Sequence, residues 1–114
     1  MDAVCGLELY SGKPNPEWGI DSGSENRIMA FLENLKQVPA EDLKNPSVLG
    51  YRGAYMISGK NEVYVSKGKV SLYRSAGLIS TYSDSGRELE KAIANSAPST
   101  LEIPWDVVND GLSE

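Results

Sequence analysis

From Leu49 to Tyr82 side-chain character alternates with a period of two, interrupted by short turns, and this stretch constrains the fold most. Tyr51, Gly53, Tyr55 and Ile57 alternate with Arg52, Ala54, Met56 and Ser58 before Gly59-Lys60-Asn61 turns the chain. Val63 and Val65 then alternate with Glu62 and Tyr64, Lys67-Gly68 makes a second turn, and Val70 and Leu72 follow. Ser75-Ala76-Gly77 makes a third turn before Leu78–Tyr82. Successive side chains of a strand point to opposite faces, and turns this short join antiparallel neighbours. The stretch reads as an antiparallel meander with one face to bury. If Tyr51 and Tyr55 take the core face, Arg52 points to the open one.

The flanking segments supply the cover. Cys5, Leu7 and Leu9 share one parity and Glu8 and Tyr10 the other, so Val4–Tyr10 reads as a strand. Ser11-Gly12-Lys13-Pro14-Asn15-Pro16 breaks it, and Trp18 and Ile20 resume an extended piece, which together make a β-hairpin. Ser22 and Glu25 have capping-box spacing, and Ile28, Phe31, Leu32 and Leu35 form one apolar stripe, predicting a helix over 23–37. Residues 39–46 form an exit loop with room for a helical turn at 40–44. A second helix starts from Asp84 or Ser85, presents Leu89, Ala92, Ile93 and Ala97, and stops at Pro98. The order is ββ-α-ββββ-α. Both helices must bury a face, so the expected fold is α+β, a two-layer, mainly antiparallel sheet with two helices on one side. Residues 1–98 form this single domain. Residues 99–114 read as an extended arm and acidic tail, because Leu101, Ile103 and Trp105 alternate with Thr100, Glu102 and Pro104. The arm docks on its own sheet edge or on a neighbouring subunit, the latter giving a homodimer through Leu101–Trp105.

Composition removes whole classes of chemistry. The 114 residues contain no histidine and one cysteine, Cys5. A Ser-His-Asp triad, a Cys-His pair, a His-ligated zinc, a Cys-rich metal centre and an internal disulfide are all excluded within one chain. A net charge of −5 argues against nucleic acid as a partner. The charge is uneven: residues 58–74 hold Lys60, Lys67, Lys69 and Arg74 against Glu62, and residues 97–114 hold Glu102, Asp106, Asp110 and Glu114 with no Lys or Arg. No apolar run reaches the ~20 residues of a membrane helix, and the N-terminus lacks signal-peptide character. With an unpaired thiol, these features point to a cytoplasmic protein.

The loop 11–18 is the most distinctive candidate site. Pro14 and Pro16 fix φ twice and restrict Lys13 and Asn15 to extended backbone, so the loop is stiff before it meets anything. Lys13 and Asn15 would present polar groups, with Trp18 either plugging the core or flooring a pocket. Arg52 offers a planar fork for a carboxylate, or pairs with Glu8 or Glu62 on the sheet surface. Cys5, of core parity, is expected to be buried and inert. Glu8, Glu17, Asp21 and Glu62 could supply an acid–base pair or a weak divalent-metal site, but their spacing matches no calcium loop. No phosphate-binding glycine loop is present.

The string Ser11-Gly12-Lys13-Pro14-Asn15-Pro16-Glu17-Trp18, with Gly50-Tyr51-Arg52-Gly53 downstream, resembles a group of small stand-alone bacterial proteins. They carry S-G-[K/R]-P-N-P-x-W followed by a G-Y-R-G strand, and some are encoded near peptide-modification or natural-product genes. The resemblance covers roughly 15 residues in two blocks. It marks Gly12, Pro14, Asn15, Pro16, Trp18, Tyr51, Arg52 and Gly53 as signature positions without assigning an activity. The residues favour a non-catalytic binding or interaction domain that takes a peptide or protein segment at an open sheet face or edge. Lys13, Asn15, Trp18, Tyr51 and Arg52 are its binding residues, with no metal and no cofactor. Two rivals stand beside it: a small enzyme using Tyr, Lys, Arg or carboxylates, and a structural dimer subunit.

Overall fold

A computed structural model describes residues 3–9, 15–43, 53–75 and 77–112. Its elements are β1 (Ala3–Glu8), β2 (Glu17–Ile20), α1 (Ser22–Glu33), β3 (Lys36–Val38), β4 (Gly53–Ser58), β5 (Asn61–Ser66), β6 (Lys69–Arg74), β7 (Gly77–Ser83), α2 (Glu88–Asn95) and α3 (Trp105–Leu112). The strands form one sheet in the order β2-β1-β4-β5-β6-β7-β3, and every neighbouring pair is antiparallel. The meander therefore forms as its turns dictate. Lys67 and Gly68 both have positive φ, the pattern of a type I′ hairpin, whereas at Gly59-Lys60 only Gly59 does, as in type II′.

Register sorts the side chains into two faces. One carries the row Trp18, Cys5, Met56, Val63 and Leu72, and beside it Leu7, Ala54, Val65, Val70 and Tyr82. These meet Ile28 and Leu32 of α1, Leu89 and Ile93 of α2, and Val108 of α3 in a single apolar core. The α+β two-layer expectation is met, with the helices on this face. The opposite face carries the row Glu17, Gly6, Tyr55, Tyr64, Ser71, Thr81 and Val38, one residue from each of the seven strands. Tyr55 is thus on the face away from the helices, while Ala54 and Met56 take the core parity.

Several expectations need correction. Helix α1 ends at Glu33, not 37, and its N-cap is Asp21, whose Oδ1 accepts from the Ser24 N–H at 2.7 Å. Residues 36–38 instead form β3, paired with Thr81–Ser83. Proline disfavours helical backbone in the residue before it, so Val38, preceding Pro39, goes extended and joins the free side of β7. Phe31 is not on the buried stripe, since Ile28 and Leu32 are buried and Phe31 is exposed.

Helix α2 starts at Glu88, but Asp84 is its anchor. The Asp84 carboxylate accepts from the Glu88 N–H at 3.0 Å and the Leu89 N–H at 2.8 Å, serving two donors that the first turn leaves unpaired. The C-terminal stretch is not an extended strand-like arm. After Pro104, whose carbonyl accepts from Val107 and Val108 N–H groups, it becomes α3. Trp105, Val108 and Leu112 are spaced as one helical stripe, and with Leu101 and Ile103 they pack on the protein's own core. No helix among the described residues is long and apolar enough to cross a membrane.

Candidate functional site

The face away from the helices is built from rings, glycines and carboxylates. The hydroxyl end of the Tyr55 ring lies over Gly6: a Cβ built on Gly6 would stand 2.4 Å from its Cζ and from its Oη. Tyr64 lies beside Gly53, where a Cβ would come 3.3 Å from its Cε1 and 2.4 Å from the Val65 carbonyl oxygen. Only glycine admits such approaches. Each ring then places its hydroxyl on an acid: Tyr55 donates to Glu17 Oε2, Tyr64 to Glu8 Oε2, and Tyr73 to Asp42 Oδ1 at 2.7 Å.

Over β6 and β7 this face is closed by the chain that leaves β3. Ser71 Oγ donates to the Glu41 carbonyl at 2.6 Å, the Glu41 N–H donates to Thr81 Oγ1 at 2.8 Å, and the Leu43 N–H donates to Tyr73 Oη at 3.1 Å. Lys69 pairs with the Glu41 carboxylate from outside. Ser71 and Thr81 are fully buried, and their hydroxyls lie 2.9 Å apart. The tyrosine row, which alternation alone leaves looking like an open recognition face, is buried.

These surroundings decide the chemistry of the titratable groups. Burial, reinforced by Glu17, holds the Tyr55 phenol well above the ordinary tyrosine range. Burial and Asp42 push Tyr73 up to about 12. Both are therefore neutral donors at physiological pH, and the phenolate that a tyrosine base or nucleophile requires is disfavoured. Burial likewise pushes the Cys5 thiol up to about 11, with nearby Glu25 adding to it against a lowering bond from Ser96. This is the inert cysteine expected from its parity. Arg87 and Glu90 form a buried two-bond ion pair at 3.1 and 3.0 Å within the first turn of α2. Asp21 is held below the ordinary carboxyl range by the Ser24 backbone bond that makes it a cap. Among the described residues no three His, Cys, Asp or Glu side chains gather to hold a metal ion. A groove of about 330 Å³ between α1 and α2 exposes Phe31 and Ala92, with Arg27 as its one charged lining residue, so it offers no acid–base pair.

Of the five binding residues expected from sequence, Asn15 and Trp18 lie within the described structure, and Lys13, Tyr51 and Arg52 lie outside it. Asn15 Oδ1 accepts from the Leu9 N–H at 2.9 Å, where the β1–β2 ladder would otherwise run into the prolines. Trp18 is 6% exposed, and its Nε1 donates to Ser96 Oγ at 2.9 Å, tying the hairpin to the end of α2. Its ring serves the core. Gly53, which follows Arg52 in the chain, pairs with Glu8, while Asn15 holds Leu9. Asn15 and Gly53 thus lie at the same end of the sheet.

Beside them lies the side of β2 that no described strand pairs with. The Leu7 N–H donates to the Pro16 carbonyl at 3.2 Å, which makes Leu7–Pro16 a hydrogen-bonded pair of the ladder. Such pairs alternate along antiparallel strands, so Cys5–Trp18 and Ala3–Ile20 are bonded pairs as well. The N–H and C=O groups of Glu17 and Gly19 consequently point away from β1. Both residues are exposed, and β2 ends the sheet. The signal was present in sequence as Glu17 and Gly19 alternating with Trp18 and Ile20 directly after Pro16.

No family model, curated protein or solved structure matches the chain.

Proposed function

We propose that the protein is a small non-catalytic binding domain that takes an extended peptide or protein segment as an additional strand on β2. The observation that carries this reading is the outward set of Glu17 and Gly19 backbone groups on an exposed terminal strand. Edge strands recruit extended partners through such groups, with alternate side chains supplying selectivity. The neutral, carboxylate-bound tyrosines and the buried thiol support binding over catalysis. Asn15 and Pro16 tie the start of β2 to β1 through the Leu9 and Leu7 N–H groups, and Lys13, Tyr51 and Arg52 are proposed as further binding residues. A cytoplasmic setting accords with the lone thiol.

The test is an amide-shift titration of isotope-labelled protein with short, capped, Thr/Val-rich peptides. Shifts should concentrate on Glu17–Ile20 and their β1 partners. Gly19→Pro removes an outward donor while leaving the β1–β2 ladder bonds intact, so it should fold normally and bind roughly two- to tenfold more weakly, the worth of one hydrogen bond. Shifts centred elsewhere, or undiminished binding by this variant, would refute the assignment of the edge.

A further inference from the structure

Three glycines face the side of the sheet away from the helices on its first three strands, and they differ in one respect. Gly6 is covered by Tyr55 and Gly53 by Tyr64, whereas among the described residues a Cβ at Gly19 would meet nothing nearer than the Ala3 carbonyl oxygen at 3.9 Å. Gly19 is exposed, and across the strands it stands level with Val4, which stands level with Ile57. Val4 is half-buried, and Ile57 is 38% exposed. A bare strand glycine followed by two apolar side chains in one cross-strand row is a seat for a ring of the kind that this molecule fills elsewhere with its own tyrosines.

One position earlier on the same face is Glu17. It is exposed, and among the described residues no Lys or Arg forms an ion pair with it within 4 Å. One carboxylate oxygen accepts from Tyr55 Oη. The Glu17 charge stands at the rim of the edge with no ion-pair partner among the described residues.

Taken with the edge-pairing reading on which it rests, this geometry leads us to infer the chemistry of the partner: an antiparallel strand carrying an aromatic residue and, two residues later, a lysine or arginine. An antiparallel chain beside β2 meets Gly19, then Trp18, then Glu17. Its first and third residues point to the face away from the helices. The aromatic ring lies over Gly19 against Val4 and Ile57, and the cation stands opposite Glu17. The middle residue points to the helix side beside Trp18, where an aliphatic side chain fits. Cross-strand pairs of these types discriminate by small amounts each, so the motif is read jointly with the backbone bonds.

The experiment uses the full chain and three capped Thr/Val-rich peptides, one carrying Tyr-Val-Lys, one with the Tyr replaced by Ala, and one with the Lys replaced by Glu. Affinities come from the amide shifts of Glu17–Ile20. The Tyr-Val-Lys peptide should bind roughly two- to fivefold more tightly than the Ala peptide and by at least that margin over the Glu peptide. Gly19→Val fills the seat with a residue that strands favour, and should abolish the Tyr preference while keeping the Lys preference. Glu17→Gln keeps an acceptor for Tyr55 and should abolish the Lys preference alone. Equal binding of all three peptides at β2 would overturn the motif while leaving edge pairing intact. An absence of β2 shifts with every peptide would instead remove the edge reading itself. Preferences that persist in both variants would also overturn the motif, because they would then arise elsewhere on the surface.

Discussion

On the helix side of the sheet, Cys5, Leu7, Met56, Val63 and Val70 are shut away from water by Ile28, Leu89, Ile93 and Val108. On the other side Tyr55, Tyr64 and Tyr73 are buried almost as fully, yet each keeps a hydroxyl bonded to an acid. The first face is closed by apolar area, which is non-directional and indifferent to pH. The second is closed by ring-on-glycine contact and oriented hydrogen bonds, which depend on protonation and on the donor's position. The difference teaches where each face is vulnerable: the helix side to loss of volume, the tyrosine side to loss of a proton or of a single oxygen.

The largest expected effect lies on the helix side. Ile93→Ala removes a fully buried side chain from α2 and should cost about 2–5 kcal/mol of unfolding free energy, by the same amount at neutral and mildly alkaline pH. Denaturant titration at both pH values checks this, and a marked pH dependence would blur the distinction between the faces. Tyr73→Phe keeps the ring but removes the donor to the Asp42 carboxylate and the acceptor of the Leu43 N–H, and should cost about 1–3 kcal/mol at neutral pH.

That second loss should shrink in alkali. Tyr73 is raised to about 12 in the folded protein against an ordinary value near 10, so the neutral phenol is the form that folding favours. Its contribution is fully present below pH ~10 and disappears as pH climbs towards 12. The gap between wild type and Tyr73→Phe should close over that window, while that of Ile93→Ala should not. Phenolate absorbance rising fully at the ordinary tyrosine midpoint, with none delayed to higher pH, would count against a buried donor row.

Asp84→Ala should cost about 0.5–2 kcal/mol, since the carboxylate serves two N–H groups at the start of α2. Amide exchange should then accelerate first at Glu88 and Leu89. The smallest effect is a null result: a thiol reagent at neutral pH should leave Cys5 unmodified in the folded chain and label it on unfolding, because the thiol is buried and raised to about 11.

Local pattern and distant contact divided the labour unevenly. The meander was legible because period-two alternation and turn residues are local properties, and Asp84 was one of two residues that the sequence put at the start of the second helix, although the N-cap position itself falls on Arg87. Strand β3 and α3 were harder. Lys36–Val38 continue a plausible helical stripe, and only the free side of β7 with Pro39 behind turns them into an edge strand. Leu101, Ile103 and Trp105 alternate like a strand, but the core contacts of Val108 and Leu112 pull the following residues into a helix.

By itself the sequence determined that the chain would form an antiparallel meander with covering helices, that its one thiol would face inwards, and that histidine chemistry was absent. Only the tertiary structure decided which face the tyrosines take, because alternation separates two faces without saying which one meets the helices when both carry large side chains. It also decided their partners, since Tyr64 finds Glu8 across 56 residues of chain and Tyr55 finds Glu17 across 38. The free edge of β2 belongs to the same class. Which backbone groups of Glu17 and Gly19 point outwards depends on the register with β1, and register is fixed by pairing and burial together.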